Sequence, residues 1–500
     1  MADRRKLEDA RAAGADSNRP RAVARRHDKG FRTARENLLD LCDAGSFMEY
    51  GELAVAAQRQ RRELDDLRSE TPGDGVITGI ANINADRFGE KAARAAVIVN
   101  DYSVLAGTQG FYHHKKIDRL LDLAERDALP VVMYTEGGGG RPGDTDVMTQ
   151  VSALDVPTFA RWAGLSGKVP RIVVNNGYCF AGNAALFGSG DIRIATKRSW
   201  IGMAGPAMIE AGGLGEYESQ DIGPTELHVK QGVVDVCADD EAAATQLAKD
   251  VLGYFQGPSI DFDVPEQSLL RQALPENRRF TYKVRNVIEL IADTGSFTEL
   301  GGGFGSALIT GFVRVDGKPF GLLASDNQVM AGAIDADAAE KASRFLRLWN
   351  AHGIPILSLV DTPGFMVGPD SESQAAVRHM SEMFAAGAAL TVPLVAIVLR
   401  KAYGLGAMAM TGGGFREPVC TAAWPTGEFG AMGLEGAVRL GFRKELDAEP
   451  DEERRNALFD RLVQDAYEKG SALEVAGVLE IDSVIDPADT RRVIGTAESR

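Results

Sequence analysis

The chain has few cysteines, few histidines and no long apolar run, and each shortage removes a class of function. Its four cysteines, Cys42, Cys179, Cys237 and Cys420, lie far apart with no Cys-x-x-Cys pair. No zinc ribbon is encoded, and buried thiols in a reducing compartment are the expectation. Six histidines include no His-Glu-x-x-His spacing, and His113-His114 is the only adjacent pair. Neighbours on a helix point about 100° apart, too far to share one metal, so no metal site is expected. There is no run of ~18 apolar residues, which excludes a membrane-spanning helix. A Gly-x4-Gly-Lys-Ser/Thr loop is absent, which argues against ATP hydrolysis by this chain. So is a serine elbow, since Gly188-Ser189-Gly190 lacks the spacing. The net charge of −16 is wrong for a general nucleic-acid binder.

What the 500 residues do contain is ordinary for a soluble globular protein, 44% hydrophobic and 25% charged, with room for two to four domains. The 56 glycines gather in short turns such as Gly137 to Gly140 and Gly412 to Gly414, where backbone must approach something closely. The first 35 residues are arginine-rich, with Arg4, Arg5, Arg19, Arg21, Arg25 and Arg26. Interspersed Asp3, Glu8, Asp9 and Asp16, and no apolar segment, favour a solvated N-terminal helix or arm over a targeting peptide.

An internal repeat organises the rest. Arg35, Gly45-Ser46-Phe47, Glu49 and Gly51 recur as Arg285, Gly295-Ser296-Phe297, Glu299 and Gly301, at a constant offset of 250. Val104-Leu105-Ala106-Gly107, Lys116, Pro130 and Glu136 recur as Val329-Met330-Ala331-Gly332, Lys341, Pro355 and Asp361, at an offset of 225. Val169-Pro170 and Val392-Pro393 each precede an apolar run and then a small-residue turn, Cys179 to Gly182 and Ala402 to Leu405. Short β-branched runs (Ala96 to Asn100, Val131 to Tyr134, Ile172 to Val174) alternate with helical stretches such as Lys115 to Arg126. That pattern predicts an α/β fold of ββα units. Gly257 to Arg279 lacks periodicity and reads as the connector.

A small-residue turn that ends a buried strand and opens a helix leaves backbone N–H groups without intrahelical partners. Two such donors and the positive helix end suit a developing oxyanion. Ala181-Gly182 and Gly404-Leu405 fit that role, although tight helix–strand packing asks for the same residues. Glu136 to Arg141 and Asp361 to Gly364 follow buried strands, where α/β folds place ligands. Asp361-Thr362-Pro363 matches the aspartic-protease tripeptide in surroundings that are wrong for that class.

The second half then reads Asn327-Gln328, Ala331 to Lys341, Asp361 to Phe365, Arg400 to Gly404, Trp424-Pro425-Thr426 and Val484 to Arg491. With Pro72 to Val76 and the segment around Gly107, these resemble the carboxyltransferase β subunits of propionyl-CoA and acetyl-CoA carboxylases, from about Lys29 to Arg491. The resemblance implies two tandem crotonase-like ββα-superhelix domains, residues 1–262 on the acyl-CoA side and 263–500 on the biotin side. It also implies a homo-oligomer, a hexameric ring of three dimers with sites at the dimer interfaces. By that similarity the N–H groups of Ala181 and Gly182 hold the acyl-CoA enolate, and those of Gly404 and Leu405 hold the biotin ureido oxygen. Gly107, Gly138, Gly139, Arg141, Tyr403 and Met408 fall at substrate-binding positions, and Gly364, Phe365 and Ala402 at biotin-binding ones. Met408 aligns with a family position associated with acyl-chain choice.

Two segments depart from the family pattern. Glu136-Gly-Gly-Gly-Gly-Arg141 stands where Asp-Ser-Gly-Gly-Ala-Arg is usual, and Gly177-Tyr-Cys-Phe-Ala-Gly182 where Gly-Pro-Cys-Ala-Gly-Gly is usual. No Ala-Met-Lys-Met biotin-attachment sequence occurs, so the resemblance places the biotin on a separate carrier subunit or domain, loaded by a biotin carboxylase. A cytoplasmic enzyme that binds neither nucleic acid nor membrane is the expectation. A biotin-dependent decarboxylase subunit, a biotin-independent crotonase-type acyl-CoA enzyme and a non-catalytic scaffold are the competing readings.

Overall fold

The computed structural model describes residues 2–147 and 154–498. They form two compact units that divide between Gly257 and Pro258. In the first unit the strands are β1 (Met48–Glu49), β2 (Val76–Asn82), β3 (Arg94–Asn100), β4 (Val131–Tyr134), β5 (Arg171–Asn175), β6 (Tyr178–Phe180), β7 (Ile192–Thr196), β8 (Trp200–Gly202) and β9 (Val236–Ala238). In the second they are β10 (Thr298–Leu300), β11 (Leu308–Val315), β12 (Lys318–Ser325), β13 (Ile356–Thr362), β14 (Leu394–Tyr403), β15 (Cys420–Ala423), β16 (Glu428–Gly430) and β17 (Ser483–Val484).

The two sheets have one plan. The first runs β1-β2-β3-β4-β5-β7-β9 and the second β10-β11-β12-β13-β14-β15-β17. Each opens with antiparallel pairs (β1-β2-β3 and β10-β11-β12) and continues as parallel strands. A short parallel pairing lies apart in each, β6 with β8 and β16 with the end of β14. The parallel strands are buried on both faces, which explains why Ala96 to Asn100 and Ile356 to Thr362 carry no polar alternation.

The covering helices come from apolar spacing. In Phe111–Arg126 the buried residues His113, Lys116-Ile117, Leu120-Leu121 and Ala124 recur at three or four residues and form one face. The counterpart in the second unit is Ala336–Ala351, started by Asp335, whose side chain accepts from Ala338 N. Trp349 is fully buried beneath Gly321, where any Cβ would meet its indole at 2.2 Å.

The coincidences of the repeat are structural contacts made twice. Arg35 pairs with Glu49 at 2.8 Å and Arg285 with Glu299 at 2.7 Å. Both buried lysines cap main-chain carbonyls, though at different positions: Lys116 Nζ donates to Gly73 O and Val76 O, and Lys341 Nζ to Gly301 O and Phe304 O. Gly51 and Gly301 both take φ near +70° against those lysine stems, a backbone that glycine adopts without a Cβ penalty.

Arg4, Arg5, Arg21 and Arg25 are exposed, as the solvated arm expected from composition requires, but two of the N-terminal arginines are not. Arg19 and Arg26 are buried at 8% exposure each. Arg19 pairs with Asp101, and Arg26 makes a two-pronged pair with Glu136 at 2.9 and 2.8 Å. A buried carboxylate needs a partner of opposite charge, and the helix Pro20–His27 supplies it.

Candidate functional site

The first unit places its site where three turns meet. The turn after β3 holds Leu105, Ala106 and Gly107 at φ 48°, 55° and 63°, three consecutive left-handed residues. The second unit repeats it with Met330, Ala331 and Gly332 at 48°, 55° and 89°. Non-glycine residues cost about 1 kcal/mol each there, and such strain collects at functional sites. Close approach explains the glycines: a Cβ on Gly107 would lie 2.7 Å from Glu136 O, and one on Gly332 2.5 Å from Asp361 O.

The loop after β4 is sewn to its neighbours by backbone bonds. Gly138 N donates to Ala106 O at 3.0 Å, Gln109 N to Gly139 O at 2.7 Å, and Gly139 N to the Asn183 side chain at 3.0 Å. Gly137 N donates to Tyr178 O, and Phe180 N to Gly137 O. Arg26 anchors the loop from below through Glu136. Burial pushes the Glu136 carboxyl up, to about 7, against the pull of Arg26.

The third turn carries Ala181 and Gly182. Ala181 has φ 52° and ψ −119° as the residue before the helix Gly182–Gly188. Its aligned counterpart Gly404 has φ 58° and opens the helix Gly404–Met410. The two turns are therefore built alike, with a left-handed residue aiming the next N–H. The structure differs from the expected pair of donors at one atom: Ala181 N–H already donates to Gly202 O at 2.9 Å. Gly182 is the first helical residue, and its N–H has no intrahelical acceptor. Gly404 and Leu405 stand at the first two positions of their helix and have none either.

Two cavities flank the first turn. One, of about 360 Å3, is lined by Arg25, Lys29 and Arg62 with Tyr102, Tyr178 and Ala106. None of those three cations is in an ion pair among the described residues, and they stand out in a chain of net charge −16. The other, of about 740 Å3, is lined by Gln109, Phe111, His114, Arg141, Val156 and Ala181, among others. Arg141 borders it with its guanidinium already engaged: it pairs with Asp74, donates to Thr108 O at 2.7 Å and is 5% exposed. It braces the loop rather than offering a free charge. His114 is held well below its ordinary value, at about 4, by burial and then by Arg141.

In the second unit a Cβ on Gly406 would fall 2.6 Å from the Gly364 backbone, and one on Gly404 2.9 Å from Ala431 O. These contacts draw together Gly364, Phe365, Ala402, Tyr403 and Gly404. Tyr403 donates its hydroxyl to Glu428 at 2.8 Å. Ala402, Gly404, Met408, Phe415 and Phe429 line a cavity of about 440 Å3, and Leu405 is 60% exposed beside it. Asp361, fully buried, accepts from Tyr282, Asn327 and Lys401 N and pairs with Arg400, doing for this loop what Arg26 and Glu136 do in the first unit.

Arg26, Asp74, Asn183 and Gly202 were not legible as site residues. Arg26 lies 110 residues from Glu136, with no spacing to link them. Asn183 follows the turn directly, and its place in the first turn of the helix was the one available signal. Among the described residues no group of His, Cys, Asp and Glu is placed to hold a metal.

Residues 25–499 match the model of the carboxyl transferase domain. The chain is 32% identical to the methylmalonyl-CoA carboxyltransferase 12S subunit of Propionibacterium freudenreichii subsp. shermanii, over 95% of this chain and 90% of that one. Its fold superposes with a TM-score of 0.94 and 54% identity on a single-chain, multi-domain long-chain acyl-CoA carboxylase. That match covers 99% of this chain and 49% of the other, so this chain spans about half of that enzyme. A hexameric transcarboxylase 12S structure with methylmalonyl-CoA bound matches with a TM-score of 0.84 and 30% identity, over 99% and 94% of the two chains.

Proposed function

Since this chain belongs to the carboxyl transferase family of biotin-dependent acyl-CoA carboxylases, we propose that it moves a carboxyl group from a carrier-borne biotin to the α-carbon of an acyl-CoA. The observation that carries this reading is the same left-handed turn before a helix N-terminus, built once in each unit, where main-chain N–H groups suit one oxyanion apiece.

In the first unit Gly182 N–H receives the thioester oxygen as the α-proton leaves and charge moves onto that oxygen. The basic cavity of Arg25, Lys29 and Arg62 suits the phosphates of coenzyme A, and Tyr102 and Tyr178 offer faces for its adenine. The 740 Å3 cavity across the turn suits the acyl group. A long acyl chain is favoured by that volume and by the likeness to the long-chain carboxylase.

In the second unit the tight backbone of Gly364, Gly404 and Gly406 and the apolar wall of Ala402, Met408 and Phe429 suit a flat uncharged ring. Gly404 and Leu405 would hold its ureido oxygen. Carboxylated biotin, when delivered, supplies both the carbon dioxide and the base, so the chain itself needs only to position groups and hold charge. A biotin carboxylase and a biotin carboxyl carrier, on other chains or segments, complete the system, and the chain works in the cytoplasm as a hexamer. No helix among the described residues is long and apolar enough to cross a membrane.

The test is carboxylation of acetyl-, propionyl-, butyryl- and long-chain acyl-CoA by the full chain with a carboxylated carrier. Rates should be highest for the long chains. Leu405→Pro removes one N–H at a helix position that makes no use of it, and should lower kcat by about 10²–10³, whereas Leu405→Ala should change it little. A wild-type chain inactive on every acyl-CoA, or a fully active Leu405→Pro, overturns the reading.

A further inference from the structure

The first unit carries, at the wall of its 740 Å3 cavity, a polar chain whose helix positions hold other residues in the second unit. Thr158 Oγ1 donates to Asp118 Oδ1 at 2.6 Å and meets His114 Nδ1 at 3.0 Å. A threonine hydroxyl has one proton, and here it is committed to the carboxylate. His114 Nδ1 must therefore be the donor to the hydroxyl oxygen, which leaves the neutral ring with an open lone pair on Nε2. Thr158 is fully buried and Asp118 is 8% exposed, with Arg161 Nη1 3.8 Å from its second oxygen. The ring is thus held in one tautomer from behind, and Nε2 has no protein partner among the described residues.

His114 borders the cavity together with Ala181 of the turn. The Phe159 ring sits edge-on, 6.0 Å from the imidazole, and its far carbon is 3.1 Å from where a Cβ on Gly182 would lie. One aromatic ring therefore spans from the imidazole to the oxyanion turn.

The two copies of this helix differ at the residues of that chain. Lys116 recurs as Lys341, and each ammonium is buried against two main-chain carbonyls. His114 and Asp118 fall opposite Ala339 and Ser343 at the same offset of 225, and Ser343 merely turns back onto Ala339 O at 2.7 Å. The helix packs without the imidazole in the second copy, so its presence in the first is not a demand of the fold.

We propose that His114 Nε2 accepts a hydrogen bond from an amide or ureido N–H of the ligand bound at the turn of the first unit. The proposal rests on the reading of this site given above. A saturated acyl chain has no such donor. The pantetheine arm of coenzyme A and the ureido ring of biotin both do, and both must come close to the reacting carbon.

The experiment measures binding of coenzyme A and of free biotin by calorimetry, and the KM of each substrate in carboxylation, for His114→Ala, His114→Gln and Thr158→Val. Loss of one neutral hydrogen bond weakens binding by about three- to tenfold. His114→Ala should raise KM and Kd for one ligand by that factor with kcat within about twofold, the mark of a contact made equally in ground and transition state. His114→Gln, which keeps an acceptor, should recover most of it, and Thr158→Val should fall between. A rise confined to coenzyme A identifies the pantetheine amide, and one confined to biotin the ureido group. If His114→Ala matches an active wild type for both ligands, the proposal is wrong. If the alanine variant does not fold, an unchanged Thr158→Val with wild-type Kd and KM for both ligands is equally fatal. An inactive wild type would sink the functional reading and leave the calorimetry to judge His114 alone.

Discussion

The Arg26–Glu136 pair shows how one residue sets the state of another. Both side chains are 9% exposed, so removing the cation would leave a carboxylate in an apolar setting. Arg26→Ala should lower stability by about 3–5 kcal/mol, read as a fall in denaturation midpoint, while the double variant Arg26→Met with Glu136→Met should recover most of the loss. A single variant as stable as wild type would show that the pair is not an anchor. Cysteine chemistry sorts by burial in the same way. Burial pushes the Cys42 and Cys179 thiols up to about 12, so neither is a thiolate at pH 8. Alkylation of the native protein at pH 8, followed by peptide mapping, should label exposed Cys237 first and leave those two untouched.

Among the elements, the helix Phe111–Arg126 carries a pH signature through Lys116. Its ammonium is buried among carbonyls, and burial lowers it from the ordinary 10.5 to about 8. Between those two values the unfolded chain holds more protons than the folded one. Stability from this group is therefore present above pH 10.5 and lost as pH falls through 8, with a slope of up to ~1.4 kcal/mol per pH unit. Lys116→Met should remove that rise when melting is followed from pH 8 to 10.5, and an unchanged slope would assign it elsewhere. The glycines of the repeated turns answer to sterics instead. Gly332→Ala must place a methyl 2.5 Å from Asp361 O at φ 89°, and is expected to destabilise more than a surface glycine such as Gly353, where nothing lies within 4 Å.

These elements also show what sequence could reveal. Periodicity found the strands from Ala96, Val131 and Ile172, because burial on both faces writes itself as β-branched runs. The repeat found the turns, because a left-handed backbone and a close approach leave few residues to choose from. Arg26 was misread as solvated because charge alone does not say which carboxylate it will meet 110 residues away. The occupied N–H of Ala181 was invisible for a related reason, since its acceptor, Gly202, belongs to a strand pairing that no local pattern announces.

For the whole molecule, duplication supplies one device and divergence gives it two uses. Both units keep the sheet order, the ion pair of Arg35 or Arg285, the buried lysine and the strained turn. They differ in what surrounds the turn: three cations without an ion pair among the described residues and a polar chain ending in His114 in the first, a cavity of mostly small and apolar residues with Lys469 and Glu480 at its wall in the second. Each also leaves large apolar side chains in the open near its turn, Met203 and Met208 at 73% and 69% exposure in the first, Val367 and Leu405 at 79% and 60% in the second. An acidic monomer would hold such residues in water at a cost, and covering them by association removes it. The hexamer proposed above, six chains of 53.5 kDa, would cover them. Sedimentation velocity across a hundredfold range of concentration should show that particle. Replacing Met203 or Val367 by arginine should shift it toward smaller species, with activity falling in parallel if sites require more than one copy. A wild-type chain that sediments as a monomer throughout would leave those apolar side chains without a role and overturn the assembly.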